Sequence, residues 1–84
     1  MRYTVVWDQS ALDEYTLLWI SASDRQALTA ASNAIDKLLR SDPERIAVQL
    51  DEDWILIEEP LIVTFAIYPD DRLVEVLQVR RYEG

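Results

Sequence analysis

The sequence predicts an α+β fold, built as an N-terminal strand, an αα-hairpin and then an antiparallel β-meander of three to four strands. Three observations carry this. A β-branched and aromatic run opens the chain, apolar residues then recur twice in succession at helical spacing, and after Pro43 the hydrophobic period drops to two. With 84 residues, of which 50% are hydrophobic and 29% charged, the chain has room for one domain, spanning 1–84. Its core must be dense in large side chains, because a chain this short buries only about 60–65% of its unfolded surface.

The first strand is Tyr3-Thr4-Val5-Val6-Trp7, which stops at the helix-capping cluster Asp8-Gln9-Ser10. Ala11, Leu12, Tyr15, Leu18, Trp19 and Ala22 then follow at helical spacing, with Asp13 and Glu14 expected in the first turn, where the helix dipole favours negative charge. Ser23-Asp24-Arg25-Gln26 reads as a capping box for a second helix. Its stripe is Ala27, Leu28, Ala31, Ala34, Ile35, Leu38 and Leu39. Ser41-Asp42-Pro43 ends it, since the residue before a proline is driven out of the helical region.

Beyond Pro43 the pattern predicts strands near Arg45–Leu50, Trp54–Glu58, Leu61–Tyr68 and Arg72–Arg81. The short polar or proline-bearing breaks at Asp51-Glu52-Asp53, Glu59-Pro60 and Pro69-Asp70-Asp71 make neighbouring strands pair antiparallel. In the third of these strands Leu61, Val63, Phe65 and Ile67 form a wholly apolar face. The last strand is apolar on both faces, which places it centrally in the sheet. Strict alternation would set Arg80 on one face with Val74, Val76, Gln78 and Tyr82, and Arg81 on the other. A helical hairpin packed on one sheet face completes the expected fold. Trp7 and Trp19, in phase with apolar neighbours, are expected in the core, whereas Trp54 beside the acidic turn is a candidate anchor for a partner.

Composition narrows the chemistry. There is no Cys and no His, so thiolate nucleophiles, disulfides and imidazole acid-base catalysis are excluded, and any acid-base work falls to carboxylates, Tyr, Lys or Arg. Sixteen acidic against eight basic residues give a net charge of −8, which repels phosphate backbones and anionic lipid. Residues 43–84 hold ten of those acids and four of the bases. The acidic run from Asp42 to Glu59 reads first as solvated surface and second as a face for a basic partner segment. Asp51-Glu52-Asp53 matches no calcium-loop pattern, and no cofactor or metal is implied. No apolar signal core or span of roughly 18 apolar residues is present, so a cytoplasmic protein with no membrane partner is expected.

Several stretches, in this order, resemble the RelE/ParE superfamily of toxins from bacterial type II toxin-antitoxin and plasmid-stabilisation systems. They are Val5-Val6-Trp7-Asp8-Gln9-Ser10-Ala11-Leu12, then Leu38-Leu39-Arg40-Ser41-Asp42-Pro43, then Glu59 to Ile67, and finally Pro69-Asp70-Asp71-Arg72 running on to Tyr82. The resemblance implies a toxin neutralised by a cognate antitoxin, with either ribosome-bound mRNA or DNA gyrase as target. It also implies that an active RelE-like member would be a metal-independent endoribonuclease. Arg80, Arg81 and Tyr82 match the basic and aromatic group that ends the family's last strand and are the candidate catalytic residues. Glu58 is a candidate helper, and Trp54 with Glu58 a candidate partner-binding pair. Ile62 stands where RelE-like members usually place an arginine, and the strands from Arg45 to Glu58 show one base among many acids, the pattern of a degraded ribonuclease site. The alternative is a non-catalytic interaction module, a solitary and degenerate toxin homologue.

Overall fold

A computed structural model describes residues 2–82. The elements are β1 (Thr4–Trp7), α1 (Gln9–Ser21), α2 (Arg25–Ser41), the short helix α3 (Pro43–Ile46), β2 (Val48–Leu50), β3 (Asp53–Glu58), β4 (Leu61–Tyr68), a 3-10 turn (Pro69–Asp71) and β5 (Leu73–Arg81). The five strands form one sheet in the order β1-β5-β4-β3-β2. β2 to β5 are the expected antiparallel meander, and β1 lies parallel to β5. β5 is central, as its two apolar faces predict.

One expected strand is corrected. The segment near Arg45 begins as a helical turn, because Pro43, buried at the helix start, is preset for helical φ and has no N–H to lose there. Only Val48–Leu50 is left as strand. Asp51, at φ 56°, turns the chain back into β3, a left-handed position that aspartate tolerates better than most residues.

The core lies between α2 and one face of the sheet. Leu28, Ala31, Ile35 and Leu39 project from α2 at helical spacing and are buried against Val63, Phe65, Val74 and Val76. α1 behaves differently, burying only Ala11 and packing mainly along β5. Trp19, expected in the core, is 40% exposed. Its ring carries the Arg25 guanidinium 4.8 Å from the centroid, and its indole N–H donates to Thr29 at 3.4 Å. Arg25 also donates to the carbonyls of Trp19 and Ile20, at 2.9 and 2.7 Å, satisfying the open C-terminal end of α1. Trp7 is half-buried against the core and meets Tyr15 edge-on, ring centroids 6.4 Å apart. Among the described residues no helix is long and apolar enough to cross a membrane.

Two capping expectations also change. α2 starts at Arg25 with Asp24 in the cap position, and neither Ser23 nor Asp24 caps through its side chain. α1 starts at Gln9, so Asp13 and Glu14 sit beyond its first turn, where the dipole no longer explains them. Both Asp24 and Glu14 turn instead to β5.

Candidate functional site

β1 ends at Trp7, opposite Val76, and the remaining edge of β5 would be bare from Leu77 onward. α1 closes it. The Asp8 N–H donates to the Val76 carbonyl at 2.9 Å, the Ser10 hydroxyl to the Leu77 carbonyl at 3.4 Å, and the Val79 N–H donates to the Glu14 carboxylate at 3.0 Å. A helix side chain thus supplies the acceptor that a neighbouring strand would have offered.

The register along β5 slips between Thr64 and Phe65 of β4. Thr64 faces Gln78 and Phe65 faces Val76, leaving Leu77 unpaired as a bulge. The bulge reverses the alternation after Val76. Val74, Val76 and Val79 are all buried on the helix-covered face, and Arg81 follows them there, paired across to the buried Leu61. Arg80 lies on the open face, opposite Ile62 and in phase with Gln78. The expected grouping of Arg80 with Val74 and Val76 is therefore overturned, because one inserted residue moves every later side chain to the other face.

Both arginines are engaged. Arg80 forms an ion pair with Glu14 of α1. Arg81 grips Asp24, at the start of α2, through two nitrogens at 2.6 and 3.2 Å, a bidentate geometry that fixes the end of β5 against the turn between the helices. The hydrogen bond from Val79, reinforced by Arg80, holds the Glu14 carboxyl below its ordinary range. The hydrogen bonds from Arg81 do the same for Asp24. Tyr82 is half-buried, and its N–H donates to the Pro60 carbonyl at 2.8 Å, tying the chain end to the β3–β4 turn.

The other candidates fall elsewhere. Trp54 pairs with Phe65 and packs half-buried against the core. Glu58 is opposite Leu61, on the helix-covered side, while Arg80 is on the open side, so the structure does not bring Arg80 and Glu58 together. The strand residues of the open face include one cation, Arg80, among the described residues. Its near neighbours there are Ile62, Ile57 and Ile55, with Val48 at the edge.

Sequence reasoning missed Glu14 and Asp24. Glu14 left one trace, an acidic residue on a helix whose other side chains are largely apolar, and Asp24 resembled an ordinary cap.

Cleaving a phosphodiester needs a base near the 2′-hydroxyl, a proton donor for the leaving oxygen and cations for the developing charge. At the end of β5 the cations are already neutralised by carboxylates, and the sheet beside them is aliphatic.

The same arrangement of strands and helices occurs in solved toxin-antitoxin structures. A chain of the RelBE2 complex from Mycobacterium tuberculosis superposes with a TM-score of 0.82 at 18% identity, covering 96% of this chain and 99% of that one. The chromosomal ParDE system from P. aeruginosa gives 0.64 at 16% identity over 98% of both chains. The isolated E. coli RelE toxin gives 0.67 at 14% identity, over 98% of this chain and 86% of that one. The chain has the RelE/ParE toxin fold. No protein-family model matches its sequence, and no curated protein matches it. The RelE/ParE fold is thus kept here by spacing and packing at low sequence identity, and residues at the end of its last strand serve as ties between sheet and helices.

Proposed function

We propose that this chain is the toxin-like component of a type II toxin-antitoxin pair, held by a cognate antitoxin in the cytoplasm, and that it acts through protein contact rather than by cutting RNA. The observation that carries the reading is the fate of Arg80 and Arg81: Arg80 is paired with Glu14 of α1 beside the aliphatic open face, and Arg81 is held by Asp24 at the turn between the helices. A net charge of −8 works in the same direction, because docking on an RNA-rich particle relies on basic side chains displacing counterions. Between the two targets implied by the fold's relatives, a protein such as DNA gyrase fits this charge better than ribosome-bound mRNA. The antitoxin partner is supported by the solved neighbours, which include intact toxin-antitoxin complexes.

Controlled expression in a bacterial host without antitoxin tests this, following growth, mRNA integrity and plasmid supercoiling. Growth arrest with intact mRNA and disturbed supercoiling is the expected result. Arrest with cleaved mRNA, abolished in an Arg80→Ala/Arg81→Ala/Tyr82→Ala variant that still folds, would establish a ribonuclease and overturn the reading. Normal growth with soluble, folded protein would leave the second reading, a non-catalytic interaction module, which the aliphatic open face favours on its own.

A further inference from the structure

β2 is the last strand of the sheet and pairs on one side only. Natural edge strands are usually guarded by charge, proline or a covering element. This one presents aliphatic side chains: Val48 is 70% exposed and Leu50 57%. The register continues them inward on the open face, Val48 beside Ile55 and Ile57 beside Ile62. With Ile46 from α3 they line a groove of about 470 Å³. Acids stand at both ends of the neighbouring strand: Asp51, Glu52 and Asp53 at the hairpin tip, Glu58 and Glu59 at the other. None of these acids takes part in an ion pair described for the molecule.

We infer that this groove and the β2 edge form a docking shelf for a partner's extended segment in which apolar residues alternate with Lys or Arg. Such a segment adds as a sixth strand, the backbone edge supplying hydrogen bonds, the groove taking every second side chain, and the acids meeting the cations. The charge decides between occupants. A second copy of this chain paired antiparallel, edge to edge, would set the acidic hairpin tip of each chain toward the Glu58 and Glu59 end of the other, an arrangement that like-charge repulsion opposes. The inference rests on the partner-held reading above for the partner's identity and on the structure alone for its chemistry.

The test is an NMR titration of the ¹⁵N-labelled full chain with a short synthetic peptide of alternating valine and lysine. Two control peptides accompany it, one with the same residues in separate blocks and one with glutamate replacing lysine. The expected result is saturable shifts at Val48–Leu50, Ile55, Ile57 and Ile62 with the alternating basic peptide alone. Binding should weaken roughly tenfold or more in Val48→Asp/Leu50→Asp, even though that variant adds negative charge. Both sites are exposed, so the variant should keep its thermal melt. Equal or tighter binding to the variant, equal binding of the block peptide, or no shift would each overturn the shelf. So would a free wild-type chain that sediments as a dimer and becomes monomeric in the variant, since a second copy would then be the occupant. The shelf and the toxin reading fail separately: peptide binding without growth arrest sinks only the latter, and arrest without peptide binding only the former.

Discussion

The two edges of the sheet are treated in opposite ways. Where β1 ends, the free edge of β5 is closed by α1, with Ser10 and Glu14 bonding to its backbone and Glu14 also pairing with Arg80. At the far side β2 has no such cover among the described residues, and its Val48 and Leu50 are exposed. The same contrast holds between the two faces, one sealed by α2 and the other open. At the closed edge polar side chains bond to the chain's own backbone, and at the open edge the exposed side chains of β2 are mainly aliphatic.

The contrast can be broken from either side. The largest effect is expected on the sealed face, where Phe65 is fully buried. Phe65→Ala should cost about 3–5 kcal/mol, read as a lowered midpoint in urea. A loss near zero would mean that α2 does not seal that face.

Next comes the closed edge. Glu14→Ala removes the acceptor of the Val79 N–H and the partner of Arg80, and should cost about 1–2 kcal/mol by the same assay. Glu14→Gln, which keeps an acceptor but not the charge, should recover part of that loss.

The third effect is on acid stability. Glu14 and Asp24 both have folded pKa values depressed by their hydrogen-bond donors, so their stabilisation is complete above the ordinary carboxylate range. It is lost as pH falls from about 4 through the depressed folded values. Thermal melts along a descending pH series should fall more shallowly below that range in Glu14→Gln/Asp24→Asn than in the wild type. Parallel profiles would show that the two ion pairs carry no pH-dependent stability.

The smallest effect belongs to the open edge. Val48→Asp should change stability by less than about 0.5 kcal/mol, because the side chain is mostly in water already. A large loss there would mean that β2 is packed, and the contrast between the edges would fail.

Most of the sealed half was legible in the sequence. Leu28, Ala31, Ile35 and Leu39 announced α2 by spacing, and Leu61, Val63 and Phe65 announced the buried face of β4 by alternation, since both patterns are local consequences of backbone geometry. The central place of β5 was legible from its two apolar faces. The bulge at Leu77 was not, because no glycine or charge marks it and only the pairing with β4 creates it. Nor was the closure of the β5 edge. Glu14 and Val79 are far apart in sequence and meet only because β1 stops short at Trp7. Arg80 and Arg81 end the last strand and Tyr82 follows it, but Glu14 was expected as a first-turn charge and Asp24 as a capping residue, and only the packing of the helices against β5 turns both to the arginines.

The closed edge depends above all on Glu14 of α1, which accepts from the Val79 N–H and pairs with Arg80. Amide hydrogen exchange in wild type and Glu14→Ala measures this most directly. Exchange at Val79 is predicted to speed up roughly tenfold or more in the variant, while the core amide of Val63 stays unchanged. Unaltered protection at Val79 would contradict the claim that Glu14 closes that edge.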